Sequence, residues 1–253
     1  MSWFQYDTSR IYFEESGSGD PVLLLTGFSD RIDRHTMLRD ALAGHYRVIA
    51  AEPPGSGRSG PQPRKYSPGY YDEDAQAFVA LLEARGAVPA RLIGFSDGGE
   101  VALVMAAISP KVARTVLTWG AAGAINDPGG HIAAFFRQVV DEPPSDALDY
   151  RDYLVANYGE TIARATTQSF ANVMDAIVKA GGDIVLKRAD QINCPVMLMV
   201  GQQDSFVSKS QIDTLVSHMR QAVSIEVQAA GHGIHEDRPQ WFVETVMDWL
   251  ADH

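Results

Sequence analysis

The sequence predicts an α/β protein whose central sheet is mostly parallel and is flanked by helices. Three observations support this fold class. Continuous apolar runs recur along the chain, such as PVLLLT at 21–26, which is bounded by Pro21 and Gly27. Segments with helix start and stop signals lie between these runs. The chain has 253 residues, 45% of them apolar and 21% charged, which suits a soluble protein with a substantial buried core.

Seven segments are predicted to be strands. The first contains the sequence RIYFEE and ends at the turn-rich SGSGDP. Several of the others are continuous apolar runs, which are typical of strands covered on both faces. The seven predicted strands are 10–15, 21–26, 46–51, 90–95, 113–118, 195–200 and 223–228.

Helices are predicted between these strands. Residues 71–85 have acids early and an arginine last, followed by Gly86, and residues 97–109 form a second helix ended by Pro110. A last helix covers 238–251. Strands that alternate with helices in this way imply a mostly parallel sheet covered on both sides.

Residues 120–190 break this alternation. They contain several helical patches and the loop-like DEPPSD, but no clear buried strand. We therefore expect a helical insertion between two core strands, in a core formed by residues 1–119 and 191–253.

Composition excludes some partners. The formal net charge of −11 opposes binding to nucleic acid or to an anionic membrane. The longest apolar runs, such as VALVMAAI at 101–108, are too short to cross a bilayer, and the N-terminal MSWFQYDTSR lacks the pattern of a signal peptide. A single cysteine, Cys194, allows no intrachain disulfide and fits a reducing compartment. We expect a cytoplasmic protein.

Two stretches contain the tetrapeptide Gly-Phe-Ser-Asp, one with Ser29 and one with Ser96. Only the second fits G-x-S-x-G between a predicted strand and a predicted helix, where the small residues at 94 and 98 relieve steric clash around a strained serine. The helix N-terminus would also point N–H groups at negative charge that develops beside the serine. In the first copy, Arg31 stands where the second small residue is needed. Ser96 is therefore the predicted nucleophile; the alternative is a tight glycine-rich turn without chemistry.

A serine nucleophile needs a base to take its proton. His232 follows the last predicted strand and is flanked by Gly231 and Gly233, which allow its loop to approach the active edge closely. His235 is the second candidate base. A metal site built from His232, His235 and Glu236 is disfavoured, because the glycines spoil a helical ligand pair and no third ligand group is evident.

The base in turn needs a carboxylate that orients it. Asp204, in VGQQDSFV, follows the predicted strand 195–200 and so lies at the same carboxyl edge of the sheet. The alternative is that Asp204 caps the next helix, although Ser208 or Ser210 would serve there.

The sequence GSGRSG at 55–60 matches the glycine pattern of a dinucleotide site. Such a site needs a helix to begin there. The proline-rich PQPRKYSP follows instead, so nucleotide binding is disfavoured.

These motifs together resemble the α/β-hydrolase superfamily over nearly the whole chain. The order Ser96, Asp204, His232 is the order of that superfamily. The GFSDGG stretch, WGAAG and the helical insertion look most like its valacyclovir-hydrolase or biphenyl-hydrolase-like branch. The resemblance implies a Ser-His-Asp hydrolase with a helical cap at 120–190. The matching stretches are TGF (26–28), PPGSGRS (53–59), GFSDGG (94–99), the GQQD aspartate and AGHGIHEDRP (230–239).

The resemblance also gives the first Gly-Phe-Ser-Asp copy a role. It stands where the superfamily has its oxyanion loop, usually His-Gly-x, which implies that the backbone N–H groups of Phe28 and Asp97 bind the tetrahedral oxyanion. Thr26 occupies the position where histidine is usual, but the donors are backbone groups. Ser29 is expected to line the pocket rather than to act in catalysis.

The expected substrates are small, largely apolar carboxylic esters or lactones, cleaved through an acyl-enzyme. If the cap covers the active edge, Trp119, Phe135 and Phe136 are expected to line an apolar pocket with Ser29. The alternatives are a carbon–carbon bond hydrolase with the same triad and a slow-turnover ligand receptor. No cofactor or metal is expected, and the chain is expected to be a monomer or homodimer.

Overall fold

An eight-stranded sheet forms the centre of the computed structural model, which describes residues 2–253. The strand order is β1-β2-β4-β3-β5-β6-β7-β8. β2 pairs antiparallel with β1 and β4, and all other neighbours are parallel, so the predicted fold class is confirmed. The strands are β1 (Ser2–Tyr6), β2 (Ser9–Ser16), β3 (Pro21–Leu25), β4 (Arg47–Ala51), β5 (Ala90–Phe95), β6 (Ala113–Trp119), β7 (Val196–Gly201) and β8 (Ala222–Val227).

Nine α-helices are present within residues 2–253. They are α1 (Thr36–Ala43), α2 (Tyr70–Ala84), α3 (Asp97–Ile108), α4 (His131–Gln138), α5 (Leu148–Tyr158), α6 (Glu160–Lys179), α7 (Lys209–Ser217), α8 (Ile234–Asp237) and α9 (Pro239–Asp252). Two 3-10 helices cover Ile32–His35 and Leu186–Gln191. None of the helices in this part of the chain is long and apolar enough to span a membrane.

The two faces of the sheet bury separate cores, because successive side chains of a strand point to opposite faces. In β3, Leu23 and Leu25 belong to the core that also contains Phe170 of α6. Val22 and Leu24 belong to the other core, together with Phe242 of α9. This burial on both faces explains why β3 is a continuous apolar run rather than an alternating one.

The segment between β6 and β7 contains α4, α5, α6 and the second 3-10 helix. It packs over the carboxyl edge of the sheet, where the ring of Phe28, just beyond β3, lies 4.9 Å from that of Phe136 in α4 and 4.0 Å from that of Phe170 in α6. Within residues 120–190 the one β-pairing is an isolated bridge between Ala124 and Asp183. The segment thus lies above the ends of the strands that carry the candidate site.

The glycine-rich stretch 55–60 is a loop that no helix follows until Tyr70, the first residue of α2. Glu52 stabilises the conformation of this loop. Its buried carboxylate accepts hydrogen bonds from Arg58 in the loop and from the backbone N–H of Ile32 at 3.0 Å. The geometry that a dinucleotide would need, a helix opening directly after the glycines, is not formed there.

Candidate active site

Ser96 lies on the sharp turn between β5 and α3, with φ 50° and ψ −118°. A non-glycine residue in this region is strained, and close backbone packing holds it there. A Cβ on Gly94 would lie 2.3 Å from the carbonyl oxygen of Gly98, and a Cβ on Gly98 would lie 2.4 Å from that of Thr26. Both glycines are therefore required for the turn, as the G-x-S-x-G pattern predicts.

His232 lies in the loop between β8 and α8, and its Nε2 is 2.9 Å from the Oγ of Ser96. Its imidazole packs directly against the backbone of Gly120, the residue after β6: a Cβ there would be 2.7 Å from Cε1 of the ring. Gly120 has φ +69°. The backbone after β6 thus forms the surface on which this histidine rests.

Asp204 follows β7, and its Oδ2 is 2.8 Å from Nδ1 of His232. Its other oxygen accepts backbone hydrogen bonds from Phe206 at 2.8 Å and Val207 at 3.0 Å, and the side chain is fully buried. Helix α7 is capped by Ser208 in a capping box, so Asp204 is not the cap of that helix. The structure brings together the three predicted side chains from three separate loops.

The two predicted oxyanion donors belong to segments that adjoin Ser96. Asp97 is the first residue of α3, so its backbone N–H has no partner in a preceding helical turn. Phe28 lies in the middle of a turn closed by a 3.1 Å hydrogen bond from Asp30 N–H to the Gly27 carbonyl. A Cβ on Gly27 would be only 3.4 Å from Cβ of Ser96, so this turn lies against the serine.

Thr26 supports this turn, which we call the 27–30 loop. Its hydroxyl donates a 3.3 Å hydrogen bond to the carbonyl of Asp30. Ser29 is buried, with φ 52°, and its carbonyl accepts a 2.7 Å hydrogen bond from the hydroxyl of Tyr158. The threonine at the position where the resemblance leads one to expect histidine therefore braces the loop through its side chain.

Trp119 requires a correction. We expected it to line the pocket, but it is fully buried in the core on the sheet face opposite Phe170 of α6. Its ring stacks on Phe95 at 5.3 Å, and its Nε1 donates a 3.0 Å hydrogen bond to Nδ1 of His235. As the last residue of β6, Trp119 points to the face set by the strand's alternation, away from the insertion.

His235, the second candidate base, makes no hydrogen bond with Ser96 and belongs to the same buried cluster as Trp119. Its ring stacks on His35 at 4.7 Å. Burial, together with the neighbouring His35, holds the pKa of His235 well below its ordinary value. The imidazole is therefore neutral and structural.

Phe136 is buried at the inner surface of the insertion, and Phe135 is half-buried beside it. The ring of Phe206, in the loop after β7, lies 5.1 Å from that of His232 and 6.3 Å from that of Phe136. Phe135 contacts the same ring at 5.4 Å. Aromatic rings thus run from His232 to Phe28, while Ser96 itself remains half-buried.

Two buried acids beside the serine were not predicted from the sequence. The carboxylate of Asp97 accepts a 2.6 Å hydrogen bond from the hydroxyl of Tyr70, and burial raises its pKa. One turn further along α3, Glu100 accepts the backbone N–H groups of Ala122 at 2.7 Å and Gly123 at 3.0 Å. Burial raises the pKa of Glu100 to about 7, although these two hydrogen bonds oppose the rise.

Metal-binding residue types do not cluster in the described chain. Within residues 2–253, no three His, Cys, Asp or Glu side chains are grouped so that they could hold one ion. His232 and His235 face different surroundings, because one contacts Ser96 and Asp204 and the other is stacked on His35.

Known proteins resemble this chain over nearly its full length. Human serine hydrolase BPHL is 26% identical over 249 residues, covering 95% of this chain and 83% of the relative. The pimeloyl-acyl-carrier-protein methyl ester esterase of Chromobacterium violaceum is 26% identical over 264 residues, covering 96% and 98%. The enol-lactonase of Burkholderia xenovorans has a similar fold, with a TM-score of 0.80 at 18% identity, over 99% of this chain and all of that structure.

The alpha/beta hydrolase family model matches residues 22–245, which extend from β3 into the last helix. This match includes every loop that contributes to the candidate site. The protein therefore belongs to the alpha/beta hydrolase family and is a hydrolase.

Proposed function

We propose that the protein hydrolyses small, largely apolar carboxylic esters or lactones, with Ser96 as nucleophile, His232 as base and Asp204 as its orienting acid. One observation carries the proposal: an unbroken hydrogen-bonded chain in which Oγ and Nε2 are 2.9 Å apart and Nδ1 and Oδ2 are 2.8 Å apart. A serine hydroxyl is a weak nucleophile without a base in this position.

In the first half-reaction, the Oγ of Ser96 attacks the substrate carbonyl carbon while its proton moves to Nε2 of His232. The carbonyl oxygen becomes an oxyanion, which the backbone N–H groups of Phe28 and Asp97 bind. The intermediate then collapses, the bond to the leaving alcohol breaks, and the imidazolium returns its proton to that alcohol. Asp204 stabilises the imidazolium while it carries the proton.

In the second half-reaction, a water molecule attacks the acyl-enzyme and gives its proton to His232. The second tetrahedral intermediate breaks the bond to Oγ, which recovers the proton, and the carboxylic acid leaves. With a lactone, attack by Ser96 opens the ring and the alcohol remains attached to the acyl group, so water then releases a hydroxy acid. No cofactor or metal takes part in these steps, and the partner is a small molecule.

The aromatic rings above the serine support an apolar substrate. Phe28, Phe136 and Phe206 contribute rings that can bind acyl or alkyl groups by apolar contact, as binding pockets usually do. Phe135 adds to this wall through its contact with Phe206. The names of two proteins similar to this chain, a methyl ester esterase and an enol-lactonase, agree with ester and lactone bonds as targets.

A substrate panel on wild type and Ser96→Ala tests the proposal. Wild type should turn over p-nitrophenyl acetate, p-nitrophenyl butyrate or valerolactone repeatedly, and Ser96→Ala should lose this activity while keeping its melting temperature. Ser217→Ala, at an exposed position of α7, is the control that should keep full activity.

Three results would contradict the proposal in different ways. Retained turnover in Ser96→Ala would exclude that serine as the nucleophile. A single burst with retained ligand would favour a slow-turnover receptor. Cleavage of a diketone without ester or lactone turnover would favour carbon–carbon bond hydrolysis.

A further inference from the structure

Helix α5 reaches the loop beside the nucleophile through one buried hydroxyl group. Tyr158, the last residue of α5, is 7% exposed. Its hydroxyl donates to the carbonyl of Ser29 at 2.7 Å and accepts the backbone N–H of Gly57 at 2.5 Å. One side chain of the insertion thus joins two core loops that are distant in sequence.

The residue that Tyr158 holds has an unfavourable backbone conformation. Ser29 has φ 52°, in the left-handed region, which is unfavourable for a non-glycine residue. Such a conformation persists only where surrounding contacts determine it. For Ser29, these contacts are the Tyr158 hydroxyl on its own carbonyl, the 3.1 Å hydrogen bond from Asp30 N–H to Gly27, and the Thr26 hydroxyl on the carbonyl of Asp30.

This conformation affects the position of the neighbouring Phe28 N–H group. Phe28 and Ser29 are the two central residues of the turn that begins at Gly27 and ends at Asp30. If Ser29 relaxed to negative φ, the turn would change type and its central peptide unit, between Phe28 and Ser29, would flip. The N–H of Phe28 belongs to the adjoining peptide unit of this turn, which lies against Ser96, so the flip would shift it from the position that the oxyanion requires.

Two further hydrogen bonds join α5 to this region, but both are made to side chains and not to the backbone. Asn157 accepts a 2.6 Å hydrogen bond from the guanidinium group of Arg31, and Tyr153 donates a 3.3 Å hydrogen bond to the carboxylate of Asp30. That carboxylate is also held by His35 at 2.8 Å. Of the three α5 residues, Tyr158 is the one whose contact acts on the backbone of the 27–30 loop.

We propose that Tyr158 is a positioning residue, which holds the 27–30 loop so that the Phe28 N–H group points at the developing oxyanion. The inference rests on the proposed function, because it takes Phe28 as an oxyanion donor. It makes the helical insertion part of the device that stabilises the transition state, in addition to covering the site. The phenol acts through the loop and does not contact the reacting atoms.

Tyr158→Phe tests this role, because it removes the hydroxyl and keeps the ring. Loss of one oxyanion donor costs about 10²–10³ in rate, so a displaced donor should lower kcat/KM for p-nitrophenyl acetate by about 10- to 100-fold. The inhibition constant of an aryl trifluoromethyl ketone, which forms a tetrahedral adduct with an active-site serine, should rise by a similar factor. KM should change by less than about 3-fold, because the ground-state carbonyl depends little on this donor.

Tyr150→Phe is the matched control. This variant also removes a hydroxyl from a tyrosine of α5. In the described chain, the Tyr150 hydroxyl forms no hydrogen bond to the 27–30 loop or to the glycine-rich stretch 55–60. This variant should keep the wild-type kcat/KM and inhibition constant. Melting temperatures of both variants report any general loosening of the insertion.

Several outcomes would overturn the inference. These are an unchanged kcat/KM in Tyr158→Phe, a lower kcat/KM with an unchanged inhibition constant, or an equal loss in Tyr150→Phe. Each would leave the proposed function intact so long as Ser96→Ala is inactive. Activity in Ser96→Ala would instead remove the proposed function, whatever Tyr158→Phe does.

Discussion

Glu100→Gln should change how the stability of the protein depends on pH. The carboxylate is buried in α3, one turn beyond Ser96, and its environment raises its pKa from an ordinary 4.5 to about 7. In the unfolded chain the same group titrates near its ordinary value. Between these two pKa values the folded state therefore holds a proton that the unfolded state releases, so Glu100 lowers stability as pH rises through this window.

The size of the effect follows from the difference between the two pKa values. At about 1.4 kcal/mol for each pKa unit, the rise from 4.5 to about 7 corresponds to about 3 kcal/mol. In wild type, this loss of stability should be absent below pH 4.5 and complete by about pH 8. Glutamine does not titrate, so the variant should gain about 3 kcal/mol relative to wild type across this range.

Glutamine also changes the hydrogen bonds, but by an amount that does not depend on pH. Its amide oxygen can replace Oε1, which accepts the N–H groups of Ala122 and Gly123, whereas its amide nitrogen would face the N–H of Gly123 at the position of Oε2. This donor–donor contact changes the free energy of unfolding of the variant by the same amount at every pH. The slope of the difference with pH remains the diagnostic quantity.

Urea unfolding of both proteins at several pH values from 4.5 to 8 measures this difference. Glu83→Gln, at an exposed position of α2, is the control. A difference between wild type and Glu100→Gln that stays constant with pH, within about 1 kcal/mol, would refute the reasoning. It would mean that the hydrogen bonds from Ala122 and Gly123 cancel the effect of burial on the pKa of Glu100.

Two further variants probe the candidate site. Gly120→Ala places a Cβ 2.7 Å from Cε1 of His232, so the imidazole must move and kcat on p-nitrophenyl acetate should fall on the order of 100-fold. Gly86→Ala, at φ +58° with open space around it, carries the same backbone strain and should keep wild-type kcat; equal kcat in both would contradict the packing argument. Phe136→Ala should raise kcat/KM for p-nitrophenyl octanoate relative to acetate by about 10-fold, through the space its ring vacates. Phe4→Ala, far from the site, is the control and should keep the wild-type octanoate-to-acetate ratio. The same ratio in Phe136→Ala would show that this ring does not limit the length of the acyl chain.

The sequence predicts those parts of the site that depend on local geometry and on element order. The turn at Ser96 is made by contiguous residues, and the need for glycine at 94 and 98 is visible in the pattern itself. Asp204 and His232 each follow a strand, and parallel strands bring their carboxyl ends to one edge. These rules locate the three groups without any knowledge of side-chain packing.

Features that depend on the direction of a side chain could not be predicted in the same way. The hydrogen bonds of Tyr158 cross 129 and 101 residues of sequence, and they depend on how α5 sits over two loops. In β6, Val116 and Leu117 are both apolar and buried on opposite faces, so the face of Trp119 could not be read from the pattern. Strand β1 was missed because it lies at the edge of the sheet and is mostly exposed, with no apolar run.

The location of the two supports around Ser96 has a consequence for how the substrate specificity of such a protein can change. The histidine rests on the backbone after β6, above the core that contains Trp119, whereas the 27–30 loop is tied to α5. If Tyr158 positions the 27–30 loop as proposed, exchange of helices α4–α6 for others would alter substrate choice and carbonyl polarisation together, and leave the contacts among Ser96, His232 and Asp204 in place. A variant with a new insertion would then need another residue that holds the 27–30 loop, as Tyr158 does, before it recovered the full catalytic rate.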